Sequence, residues 1–83
     1  MVALKIRPLT FEEQLSLLYW QRADNLKAYI VARVLLLSQK DWPVSEIAFA
    51  FRMSDSDVQD IIQVFNEKGL EPLAPEPESG RVR

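Results

Sequence analysis

Apolar and polar positions recur along this chain with helical periods, in four blocks separated by turn signals. Phe11, Leu15, Leu18 and Tyr19 fall at i, i+4, i+7 and i+8, which predicts one apolar face on a first helix. Thr10 followed by Glu13 is a capping box, so that helix should start at Phe11. The preceding residues 1–9 read as an extended arm, because Pro8 disfavours helix at Arg7. Ala23 to Asn25 breaks the pattern, and Asp24 is the expected N-cap of a second helix running to about Lys40. From Ala28 to Leu37 that helix is apolar at nearly every position except Arg33, which places it at the centre of a bundle or against a partner as well.

Asp41-Trp42-Pro43 interrupts the helices, and Pro43 suits the start of the next one, where its missing N–H is not needed. Val44, Ile47, Ala48 and Phe51 form the inward face of a two-turn third helix. Arg52-Met53-Ser54 is a tight turn, with Ser54 the N-cap of a fourth helix. Asp55 and Asp57 lie in its first turn, where the positive end of the helix dipole favours carboxylates. Val58, Ile61, Ile62 and Phe65 make its buried stripe, and Gly69 stops it. Residues 70–83 hold Pro72, Pro75 and Pro77 without an amphipathic pattern, and read as an extended, mobile tail or linker. The expected fold is all-α: a small four-helix, homeodomain-like helix-turn-helix bundle over residues 10–69, with an N-terminal arm (1–9) and a Pro-rich C-terminal tail (70–83). Trp42 should close the core at a helix junction, and Arg33 should pair with an acid such as Glu46. Phe49 and Val64 fall outside the inward sets of their helices.

Composition narrows the chemistry. Eighty-three residues suffice for one domain with a modest core. The absence of both Cys and His excludes disulfides, zinc sites of the usual ligands and His-based acid–base catalysis. No nucleophile–base pair can be assembled, so neither an enzyme nor a cofactor or small-molecule substrate is expected. Asp57 and Asp60 share a helix face, but such short-spaced acids read as a solvated face rather than a Mg²⁺ site. The first residues lack the apolar run of a signal peptide, and the apolar stretch 28–37 is about half the length that spans a bilayer. A cytoplasmic protein without membrane partners is the expectation.

The net charge of −2 conceals an asymmetry. Lys5, Arg7, Arg22, Lys27, Arg33 and Lys40 outweigh Glu12, Glu13 and Asp24 in the first forty residues. Residues 41–80 hold nine acids against Arg52 and Lys68, and Arg81 and Arg83 follow. A DNA-binding surface is ordinarily basic, because phosphate neutralisation dominates affinity. Only the first half and the last three residues offer that here.

The ordered motifs resemble the N-terminal homeodomain-like region of mariner-superfamily insertion-sequence transposases. The resemblance spans most of the chain. It rests on Leu9-Thr10 with Glu12-Glu13, the run Ala32 to Leu37, Val44-Ser45-Glu46-Ile47-Ala48, Ser54 and Val58, Phe65, Glu67 to Leu73, and Ser79-Gly80-Arg81. It implies a module that recognises transposon ends in double-stranded DNA for DNA recombination, while a separate downstream domain would cut using a carboxylate triad. Two departures stand out. The family's turn usually carries Gly, where this chain has Arg52. The family's basic recognition-helix positions correspond here to Asp55, Ser56, Asp57, Gln59, Asp60 and Gln63. Carboxylates can accept from cytosine but repel neighbouring phosphates.

Two readings follow. In the first, Lys5, Arg7, Arg52, Lys68, Arg81 and Arg83 contact phosphates, while Ser54, Ser56, Gln59 and Gln63 supply any base contacts. In the second, a transposase-derived domain has lost DNA binding and acts in protein interaction or homodimerisation through Phe49, Asp57, Asp60 and Val64. Trp20, beside Tyr19, is left open between solvent and a partner.

Overall fold

The computed structural model describes residues 5–74. Four α-helices follow one another: α1 (Phe11–Arg22), α2 (Leu26–Gln39), α3 (Val44–Phe51) and α4 (Asp55–Lys68), with a 3-10 turn at Glu71–Leu73. The expected all-α, four-helix helix-turn-helix bundle is the observed architecture.

Local chemistry sets the helix ends. The Thr10 hydroxyl accepts from the Glu13 N–H at 3.0 Å, and the Thr10 N–H donates to the Glu13 carboxylate at 3.0 Å, completing the capping box. Ser54 caps α4 by accepting from the Asp57 N–H at 3.0 Å. The cap of α2 is Asn25, which accepts from the Ala28 N–H at 3.1 Å, and not Asp24. Asn and Asp are equally good caps, so the choice falls to the helix phase that turns Ala28, Val31 and Ala32 into the core.

Two helices close through left-handed residues. After α2, Asp41 takes φ 71°, the Trp42 N–H donates to the Leu37 carbonyl at 3.1 Å, and the Asp41 N–H donates to Ser38 at 3.0 Å. After α3, Arg52 takes φ 56°, the Met53 N–H donates to Ala48 at 2.9 Å, and the Arg52 N–H donates to Phe49 at 3.3 Å. Both are Schellman closures, which Gly fills most easily. A non-Gly residue pays about 1–2 kcal/mol for the left-handed well. Replacing Arg52 with Gly relieves that strain while loosening the unfolded chain, so Arg52→Gly should stabilise the fold by up to about 1 kcal/mol in urea unfolding.

The three-residue link Ala23–Asn25 folds α2 back along α1, and α2 then packs against α3 and α4 as well. Its central position explains its composition: Val34 and Leu35 are fully buried, with Val31, Leu36 and Leu37 nearly so. Leu17 and Trp20 from α1, Ile47 and Ala48 from α3, and Val58, Ile62 and Phe65 from α4 complete the core. Among the described residues no helix is long and apolar enough to cross a membrane.

Several side chains depart from the sequence expectation. The inward face of α1 is Leu17 and Trp20, whereas Phe11 (76% exposed), Leu15, Leu18 and Tyr19 (72%) face solvent. Both faces of α1 carry apolar residues; the face packed on α2 is the one holding Leu17 and Trp20, and Glu13 pairs with Arg7. Trp42 remains 40% exposed and does not close the core; its backbone N–H, not its ring, completes the junction. Arg33 donates to the Gln21 side-chain carbonyl at 3.1 Å rather than pairing with Glu46. Val64 is half-buried rather than outward.

Chain on both sides of the helices joins the packed unit. Ile6 is buried, and its N–H donates to the Ser38 hydroxyl at 3.2 Å. The Asn66 side chain accepts from the Arg7 N–H at 2.7 Å and donates to the Lys5 carbonyl at 2.9 Å, pairing like a neighbouring strand. Beyond α4, Leu70 and Leu73 pack against the core, so residues 70–74 depart from the mobile tail expected of them. Residues 75–83 lie outside the described part.

Candidate nucleic-acid interface

The outward surface of α4 follows from its buried one. Val58, Ile62 and Phe65 point inward, so the helical period turns Ser56, Asp60, Gln63 and Glu67 to the opposite side. Asp55 and Gln59 flank this strip on one side and Asp57 on the other. All seven of these residues are exposed. Ser56, Gln59 and Gln63 therefore come together as expected, on a surface that also holds four carboxylates. Glu67 belongs to this surface and escaped the sequence reading, although its spacing of seven from Asp60 was a usable signal. Ser54, exposed at the start of the helix, accepts from the Asp57 N–H as its cap and keeps its own O–H free to donate.

The bases divide into two groups. Lys5 pairs with Asp41. Arg7 makes a two-pronged contact with Glu13, at 2.9 and 2.8 Å, and lies 4.2 Å from the centre of the Phe65 ring. Both residues thus tie the N-terminal segment to the bundle, and Arg7 does so structurally rather than as a free arm. Arg52, in the turn before α4, and Lys68, in its last turn, are exposed and make no ion pair among the described residues. Arg81 and Arg83 fall outside the described residues. On α3, Phe49 is 86% exposed and projects beside Glu46, away from Ile47 and Ala48.

The Arg7–Glu13 contact leaves a titratable signature. The Arg7 hydrogen bonds hold the Glu13 carboxyl down at about 2, against an ordinary 4.5, with the Thr10 N–H assisting. A carboxyl depressed in the fold contributes stability that is fully present above about pH 4.5 and is lost as pH falls through about 2. Because Arg7 is partly open to solvent, the contribution is on the order of 1 kcal/mol. Glu13→Gln should lower stability by about that amount at pH 6 and flatten the acid limb between these values, as read by urea unfolding across pH.

No group of three or more acids among the described residues could hold a metal ion. Compared with known protein families, curated proteins and solved structures, the chain matches none.

Proposed function

We propose that this chain is a DNA-binding helix-turn-helix module of transposase type, acting by binding rather than by catalysis. The observation that carries this reading is the α3–turn–α4 unit. A three-residue turn closed by left-handed Arg52 sets α4 across the bundle with Val58, Ile62 and Phe65 buried. That leaves Ser56, Gln59 and Gln63 outward, with unpaired Arg52 and Lys68 at the two ends of the helix. Side-chain hydroxyls and amides read base edges, and terminal bases grip phosphates. The sequence resemblance to mariner-superfamily transposases supports the same reading.

The charge of that surface favours a second reading. Asp55, Asp57, Asp60 and Glu67 face outward, and Lys68 is the first base on α4. Engagement of Lys5 and Arg7 in ion pairs removes two further cations from the count. An interaction module would use exposed Phe49 on α3 with the acids Asp57 and Asp60 on α4, whereas half-buried Val64 contributes little.

Fluorescence anisotropy of labelled mixed-sequence duplex, titrated at about 50 and 200 mM salt, separates the two. Affinity that collapses with salt supports DNA binding. No binding at the lower salt removes it in favour of the interaction reading.

A further inference from the structure

One exposed apolar line on the described surface lies away from the helix-turn-helix. Phe11, Leu15 and Leu18 form one straight line along α1, directly opposite buried Leu17 and Trp20, with Tyr19 beside it. Phe11 and Tyr19 are 76% and 72% exposed, and Leu15 and Leu18 are 50% and 43% exposed. Aromatic side chains carry about 200 Å² each, so these two alone expose roughly 300 Å². With the leucines, the line reaches the size at which an apolar patch marks a contact surface.

We propose that α1 pairs with α1 of a second copy, antiparallel about a two-fold axis that passes between Ser16 and Leu17. Charge selects both the partner and the direction. The line ends in Arg22 on the same face as Phe11, and exposed Glu12 adjoins Phe11. Glu12 and Arg22 are ten residues apart, or about 15 Å along the helix, too far to pair within one chain. In the antiparallel register Leu15 meets Leu18 of the other copy, each Arg22 covers the other copy's Phe11, and each Glu12 adjoins the opposing Arg22. A parallel pair would set Glu12 against Glu12 and Arg22 against Arg22. The same patch serves both copies, as a two-fold interface requires. The contact leaves α3 and α4 open, and it stands without the DNA-binding reading.

An interface of this area lies below about 1,200 Å² in total, so the dimer should be weak and exchange rapidly, with a dissociation constant on the order of tens of micromolar. Sedimentation velocity from about 5 to 500 μM should show the mass rise from monomer to dimer across that span. Leu15→Glu with Leu18→Glu should hold the chain monomeric at unchanged helicity, since neither residue is in the core. Glu12→Arg and Arg22→Glu should each weaken the dimer, and their combination should restore it. Phe49→Ser should leave it intact. A monomer at every concentration overturns the proposal. So does a dimer that survives the leucine substitutions, or a double charge exchange that recovers nothing.

Discussion

Phe65→Ala should remove most of the stability of this fold, whereas Phe49→Ala should be almost silent. Phe65 is fully buried between α2 and the N-terminal segment, with the Arg7 guanidinium over its ring. Truncating a buried Phe costs about 3–5 kcal/mol through lost transfer energy and the cavity left behind. A domain this small has only about 4–12 kcal/mol to lose. The melting temperature should fall by roughly 15–30 °C. Phe49 belongs to the same residue type on the neighbouring helix, but it is 86% exposed. Its truncation removes little packing and should stay within about 0.5 kcal/mol. Thermal unfolding by circular dichroism checks both, and a Phe65→Ala protein that melts near the parent would place the core elsewhere.

The second large effect concerns charge on α4. On the proposed DNA-binding reading, Asp55→Arg combined with Asp57→Arg should raise affinity for duplex DNA by on the order of ten- to a hundredfold at low salt, and steepen the salt dependence by about two units of slope. Two phosphate repulsions become two attractions, next to Arg52 in the turn. The exchange also has a cost to the fold. Both acids sit in the first turn of α4, where the helix dipole favours carboxylates, and removing them should destabilise by about 1–2 kcal/mol. Ser54 caps through the Asp57 backbone N–H, so the helix start survives the substitution. Arg52→Ala should weaken binding in the same assay by a few-fold. Affinity unchanged in all these variants would take α4 out of any DNA interface and leave its acidic surface to a protein partner.

Much of the fold was legible along the chain. The Thr10–Glu13 box, the Ser54 cap, the Pro43 start and the Gly69 stop all act within four residues, and each stands where sequence chemistry puts it. The stripe Val58, Ile62 and Phe65 was equally plain, because α4 has one apolar face and an acidic opposite. The seven-residue spacing from Asp60 to Glu67 was available too, although unused. Arg52 read as a departure from an expected Gly, and its left-handed φ supplies the physical meaning of that expectation.

What the sequence by itself determined is therefore the number of helices, the ends fixed by the Thr10, Pro43, Ser54 and Gly69 signals, and the orientation of α4 with its single apolar face. Only the tertiary structure decided the rest. Helix α1 carries apolar residues on two faces, and its packing on α2 buries Leu17 and Trp20 while leaving Phe11, Leu15 and Leu18 to solvent. Asn66 grips a backbone segment some sixty positions away, which no local pattern announces. The basic N-terminal residues that look free in sequence are bound to Asp41 and Glu13. Capping and periodicity are set by neighbours within one or two turns. Burial of one face over another, and pairing of distant charges, depend on which segments the folded chain brings together.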